Sequence, residues 1–150
     1  MPEAIEFGKQ LYEGLRCDSC HEVAAQGINV PPPLDYAGSQ FRTEWLLAYL
    51  QAPHRRRWQD DGMRPIARMP DFLLSENEIR ALTTYLASLV DTSLFKTPPP
   101  AFLASDPDKV LDGKEIYEEY ACSGCHTIAG DGGKVGPDLT HAGSRLQPEY

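Results

Sequence analysis

Apolar positions return at helical spacing at the start of the chain. Ile5, Leu11 and Tyr12, with Phe7 or Leu15, share one broad face, so the spacing predicts a helix over 3–15. Gly8 lies one turn before Tyr12, where a missing side chain lets another helix approach closely. A second, shorter helix is expected from Glu44 to Gln51, capped by Thr43 and ended by Pro53, with Trp45, Leu46, Ala48 and Tyr49 available for burial. The strongest start signal is Ser75-Glu76-Asn77-Glu78, a capping box, with Leu74 and Ile79 placed as its hydrophobic staple. Ile79, Leu82, Leu86 and Leu89 then recur at helical spacing with Tyr85 alongside. This apolar face is expected to close over the first helix near Gly8 and Tyr12.

The pattern also repeats. At an offset of 105, residues 7–45 align with 112–150 without a gap. Gly8-Lys9 matches Gly113-Lys114, Tyr12-Glu13 matches Tyr117-Glu118, and Gly27, Val30, Pro32 and Leu34 match Gly132, Val135, Pro137 and Leu139. Ala37-Gly38-Ser39 then matches Ala142-Gly143-Ser144. Two copies of one fold are expected. Tyr150 corresponds to Trp45, and the first copy continues well past that point. Lys96-Thr97-Pro98-Pro99-Pro100 reads as a stiff, extended connection. The expected organisation is a complete domain over 1–92, a proline-rich linker over 93–106 and a partial domain over 107–150.

All four cysteines lie in two aligned motifs, Cys17-Asp18-Ser19-Cys20-His21 and Cys122-Ser123-Gly124-Cys125-His126. A Cys-x-x-Cys pair serves as a disulfide, a redox dithiol, half of a zinc site or a haem attachment point. The histidine directly after the second cysteine, present both times, favours haem. A four-cysteine zinc site would leave both histidines without a role. Cysteines three apart on a helical turn face one side, which suits two thioethers on one porphyrin edge. His21 and His126 then sit beneath the iron as proximal ligands.

The other ring nitrogen of such a histidine needs an acceptor to fix its tautomer. Val30-Pro31-Pro32-Pro33-Leu34 is a source of that carbonyl, because prolines lack amide donors but keep their carbonyls; otherwise the stretch is a loop spacer. Pro32, and Pro137 in the second copy, are therefore candidate pocket supports. Arg55-Arg56-Arg57-Trp58 is either a solvated surface or a donor set for a haem propionate, with Trp58 as a candidate. A haem with histidine on one face needs a ligand on the other. Met69, stiffened by Pro70, is the candidate, and Met63 is its competitor.

The formal net charge is −8. An acidic surface lacks the basic footprint of non-specific nucleic-acid binding and suits steering toward a basic protein partner. No run approaches the roughly 18 apolar residues of a membrane helix. Met1-Pro2-Glu3-Ala4 does not open a signal peptide, so neither a membrane span nor an export signal is expected within these residues.

Residues 5–90 resemble a complete class I cytochrome c domain. The resemblance rests on Gly8 and Tyr12, Cys17-Asp18-Ser19-Cys20-His21, Pro32 and Leu34, Met69-Pro70, and Leu82 with Tyr85-Leu86. Residues 107–150 add a second first helix, haem motif and Gly136-Pro137-Asp138-Leu139 loop. Pro31 departs from the glycine usual in the family and present in the second copy. The resemblance implies an all-α fold, two haem c groups, His21/Met69 ligation of the first iron and one-electron transfer between redox protein partners. It implies an electron carrier rather than an enzyme, either free or as a subunit of a membrane respiratory or photosynthetic complex. It also implies a location in the periplasm or on the outward face of a bacterial inner membrane.

The counterpart of Met69 in the second copy would fall beyond Tyr150. Three readings follow for the second haem: a fragmentary chain, closure by another chain or by His141, or an open five-coordinate iron. The last leaves a dihaem peroxidase-like enzyme or a gas sensor as rivals.

Overall fold

Helix α1 runs from Pro2 to Gly14 in the computed structural model, which describes residues 2–28, 32–53, 69–91, 93, 106–148 and 150. It buries Gly8 and Tyr12. Ile5, Leu11 and Leu15 pack half-buried against the same core, while Phe7 stays 44% exposed, so Leu15 completes the apolar face.

Helix α4 (Glu76–Ser88) is the main partner of α1. Its start is the expected capping box: the Ser75 hydroxyl accepts from the Glu78 N–H, and the Glu78 carboxylate accepts from the Ser75 N–H at 2.8 Å. Reciprocal bonds of this kind satisfy donors that a helix start otherwise leaves orphaned. Ile79, Ala81, Leu82, Thr83, Tyr85 and Leu86 are buried. The helices touch most closely at Gly8, where an added Cβ would lie 2.1 Å from the Ala81 carbonyl oxygen. The Tyr12 and Tyr85 rings meet at 5.7 Å with a 56° tilt, an arrangement aromatic quadrupoles favour.

Two short elements complete this core. Helix α2 (Ala37–Gln40) is not predicted by periodicity, since four residues carry no period. It closes the C-terminal end of α4: the Gly38 N–H donates to the Leu89 carbonyl at 2.9 Å, and the Asp91 N–H donates to the Ser39 hydroxyl at 3.0 Å. Helix α3 (Thr43–Gln51) buries Leu46 and Leu50. Thr43 lies inside it and does not cap it. The N-cap is Arg42, extended and without a side-chain cap, because a guanidinium only donates and cannot accept from the first-turn N–H groups; the Arg42 N–H itself donates to the Arg145 carbonyl at 3.0 Å. Phe41, Trp45 and Tyr49 stack in succession at 5.1 and 4.9 Å.

The chain forms two compact units, one of residues 1–96 with 144–150 and the other of residues 97–143. In the second, Asp106 caps helix α5 (Pro107–Glu119), its carboxylate accepting from the Asp108 N–H at 3.1 Å. No described residue of α5 is buried, and Val110, Leu111 and Ile116 are more than half exposed. Strands β1 (Thr127–Ile128) and β2 (Asp131–Gly132) form a minimal antiparallel pair. Helix α6 spans Ala142–Arg145. The fold is all-α, with these two-residue strands the exception among the described residues. None of the described helices is long and apolar enough to cross a membrane. Arg55 to Trp58 and Met63 lie outside the described residues, as does the expected linker apart from residues 93 and 106.

Candidate haem sites

Each Cys-x-x-Cys-His motif begins where a helix is broken by a left-handed residue, Arg16 (φ 59°) after α1 and Ala121 (φ 51°) after α5. The chain then turns through a tight helical turn at Cys17–Ser19 or Cys122–Gly124. The two turns match bond for bond. The His21 N–H donates to the Cys17 carbonyl at 2.8 Å and the His126 N–H to the Cys122 carbonyl at 2.9 Å. The Cys20 and Cys125 N–H groups donate to the same two carbonyls, each at 3.1 Å.

The loop after the histidine is tied back just as regularly. The Tyr12 hydroxyl donates to the His21 carbonyl at 2.9 Å, and Tyr117 does the same for His126 at 3.0 Å. Leu34 N–H donates to the Glu22 carbonyl at 2.9 Å, and Leu139 N–H to the Thr127 carbonyl at 2.8 Å. Gly27 (φ 108°) and Gly132 (φ 113°) lie so close that a Cβ would sit 2.3 and 2.2 Å from the histidine carbonyl oxygens. Both the backbone angle and the contact exclude a side chain there.

His21 Nδ1 lies 2.9 Å from the Pro32 carbonyl oxygen, and His126 Nδ1 lies 2.8 Å from that of Pro137. A carbonyl only accepts, so in each ring Nδ1 is the protonated nitrogen. In the neutral ring that leaves the lone pair on Nε2, the form in which imidazole binds a metal. A tautomer-fixed imidazole beside two cysteine sulfurs fits a covalently held haem, and it does so twice.

The rival chemistries fit less well. Neither cysteine pair is disulfide-bonded. A redox dithiol needs a thiol with a lowered pKa, whereas burial, reinforced by Asp18, pushes the Cys17 thiol up to about 11. Among the described residues no group of three or more His, Cys, Asp or Glu side chains could hold a metal ion.

Met69 is half-buried and packs against the core of the first unit. Trp58, the candidate propionate donor, and Met63 lie outside the described residues, as does Pro31. His141 is exposed and sits near Asp138, whose carboxyl is held below the ordinary carboxylate range by the Thr140 hydroxyl and N–H and, least, by His141.

One recurring tie was missed by sequence reasoning. The Asp35 carboxylate accepts from the Ala24 N–H at 2.5 Å, and the Thr140 hydroxyl accepts from the Ala129 N–H at 2.8 Å. These residues are equivalents at the 105-residue offset. Both alanines are left-handed, at φ 53° and 52°. The available signal was an oxygen-bearing side chain directly after the matched leucine in each copy.

The sequence model of the family described as cytochrome c matches residues 5–90 and 110–150. Among curated proteins, the chain is 25% identical over 136 residues to the "Cbb3-type cytochrome c oxidase subunit CcoP" of Helicobacter pylori strain 52, covering 87% of this chain and 39% of that protein. The same figures hold for a second protein of that name from Helicobacter pylori. For the one from strain ATCC 700392 / 26695 the identity is again 25%, over 87% of this chain and 40% of that protein. The chain thus spans about two fifths of the length of these curated relatives.

Proposed function

The chain belongs to the cytochrome c family, and from that premise we propose that it is a dihaem one-electron carrier serving a respiratory oxidase. Haem c electron transfer is the family's chemistry. The count of two haems is supported by one observation above all, the duplicated constellation of Cys-x-x-Cys turn, tyrosine tie and carbonyl-oriented histidine. Cys17 and Cys20 would hold the first haem, and Cys122 and Cys125 the second. His21 and His126 would be the proximal ligands, with their rings oriented by Pro32 and Pro137. Met69 would complete the first iron. When bound, a haem with histidine and methionine on its two faces cycles by one electron and offers no coordination position to a substrate. The chain's own residues orient the imidazoles and exclude water from the covered side of the first core.

The assignment to an oxidase is supported by the name of the curated relatives, subunits of a cbb3-type cytochrome c oxidase. It carries with it a location on the outward face of a bacterial inner membrane. The net charge of −8 suits docking to a basic donor.

The test is the intact mass and reductive titration of the chain matured in a host that attaches haem c. Two haem additions and two one-electron steps are expected, falling to one of each when Cys122 and Cys125 are both replaced by alanine. A single haem in the unsubstituted chain overturns the dihaem assignment. Failure to associate with any terminal oxidase in native membranes overturns the respiratory one.

A further inference from the structure

Residues 144–150 belong to the first compact unit, and their attachment there has an internal symmetry. Phe41 and Leu146 form an isolated antiparallel bridge. The Arg42 N–H donates to the Arg145 carbonyl at 3.0 Å, and the Gln147 N–H donates to the Gln40 carbonyl at 2.9 Å. The Arg42 guanidinium Nε donates to the Leu146 carbonyl at 2.9 Å, and the Gln147 side-chain amide donates to the Phe41 carbonyl at 3.0 Å. At the 105-residue offset, Gln40, Phe41 and Arg42 are the counterparts of Arg145, Leu146 and Gln147. Exchanging the two stretches therefore maps each of these bonds onto another. A contact in which one stretch meets its own equivalent is isologous, the geometry of a two-fold pair.

The edge that makes this contact is built from backbone. Phe41 is 2% exposed beneath its occupant, its ring lying against Trp45 and the Arg145 guanidinium, while the bridge itself pairs carbonyls with N–H groups. Main-chain pairing of this kind is indifferent to sequence. Selectivity comes from position 42 or 147, which needs a long donor able to reach the carbonyl opposite. Arg42 already makes that reach. A second copy of Gln40-Phe41-Arg42 thus offers the same bridging donors and acceptors as Arg145-Leu146-Gln147. The flanking contacts are particular to the present occupant: the Arg145 guanidinium lies 5.3 and 5.2 Å above the Phe41 and Trp45 rings, and Tyr150 stacks on Tyr36 at 6.4 Å.

We propose that the Gln40–Arg42 edge is a self-recognition surface for a second copy of its own motif. Residues 145–147 occupy it within this chain. When they are withdrawn, the same edge of a second molecule takes their place. This inference is independent of the haem count and of the partner oxidase. Two molecules of net charge −8 repel, so the pairing tightens as salt screens them, the opposite of attraction to a basic partner.

The test uses the full, haem-loaded chain in native-state hydrogen exchange and analytical ultracentrifugation. In the unsubstituted chain the Arg42 and Gln147 amides are protected together. Gln147→Pro removes both of that residue's donors. It is expected to lower Arg42 protection by about tenfold or more and to make the chain self-associate more strongly, increasingly so at high salt. Arg42→Pro added to it abolishes the association. Arg42 has φ −68° and ψ 137°, and Phe41 before it is extended; both are conformations that proline and its predecessor adopt, so this change removes both of that residue's donors without backbone strain. Freely exchanging Arg42 and Gln147 amides in the unsubstituted chain overturn the proposal. So does a Gln147→Pro chain no more associated than its parent, or association that survives Arg42→Pro.

Discussion

Gly8 and Gly113 are equivalent positions in equivalent helices, yet alanine should act on them with opposite sign. In a helix interior alanine is favoured over glycine by about 1 kcal/mol, through backbone entropy alone. At Gly113 that gain stands unopposed, because an added Cβ meets nothing within 4 Å. At Gly8 the same atom would lie 2.1 Å from the Ala81 oxygen and 2.7 Å from both the Ala81 carbonyl carbon and the Tyr85 Cβ. Carbon contacts are comfortable only near 3.5–4.0 Å, so α1 and α4 must part by roughly an ångström. Two of the three obstructing atoms are backbone and cannot rotate away. Forcing a methyl into such a contact costs about 1–3 kcal/mol, with the upper end expected here. After the helix gain is subtracted, Gly8→Ala should cost about 1–2 kcal/mol, and Gly113→Ala should be neutral or stabilising by up to about 1 kcal/mol. Native-state hydrogen exchange reads α1 and α4 amides separately from α5 amides, so each substitution is scored on its own unit. A Gly8→Ala chain within about 0.5 kcal/mol of its parent would refute the close-approach argument. A Gly113→Ala chain that loses as much as Gly8→Ala would show α5 to be covered as α1 is.

Tyr12→Phe should cost about 1 kcal/mol by removing the donor to the His21 carbonyl, measured as a lower denaturation midpoint at unchanged slope. Ser75→Ala should cost about 1 kcal/mol through loss of the cap. Its pH dependence has a definite sign: the Ser75 hydroxyl and N–H hold the Glu78 carboxyl below its ordinary value, so this contribution is full above the ordinary carboxylate range and is lost as pH falls through the folded value. The denaturation midpoints of parent and Ser75→Ala should therefore converge in acid; a gap that widens in acid would contradict the assignment. Met69→Ala should remove the sulfur-to-iron absorption band of the first haem and lower its potential while leaving the second haem's spectrum unchanged; a spectrum identical to the parent's would exclude Met69 as the ligand. Reduction by a basic donor protein should slow as ionic strength rises, and a salt-independent rate would remove the docking role of the acidic surface.

The long amphipathic helices were legible because periodicity and capping act over neighbouring residues. Helix α4 was set by Ser75, Glu78 and the spacing from Ile79 to Leu86, and its meeting with Gly8 followed from one missing side chain. Helix α2 was not legible. Its four residues are held by Leu89 and Asp91, about fifty positions away, and only the recurrence of Ala-Gly-Ser hinted that they mattered. Thr43 had the right chemistry for a cap, but the helix begins one residue earlier, its first bond running from the Leu46 N–H to the Arg42 carbonyl. At the sites, the need of a proximal histidine for an acceptor narrowed the candidates to the proline stretch, and the carbonyl observed is that of Pro32. The tyrosine ties at Tyr12 and Tyr117 and the left-handed breaks at Arg16 and Ala121 carry no local signal that distinguishes them from ordinary helix residues.

The two sites share a local frame, and the first also shows a long-range one. The second site reproduces the first to within 0.1 Å in its histidine, tyrosine and leucine hydrogen bonds, although no described residue of α5 is buried. The geometry that orients the imidazole is carried by residues near one another in sequence, such as Tyr117, Gly132 and Pro137. The covering helix has a different task. In the first unit α4 buries the apolar face that α1 presents, and the segment leading into it carries Met69 against that core. On the proposed reading, attachment and proximal ligation would belong to a contiguous loop, and closure of the opposite haem face to long-range packing. Substitutions in the loop should accordingly disturb one haem each, while substitutions at the α1–α4 contact should act on stability and on the methionine side together.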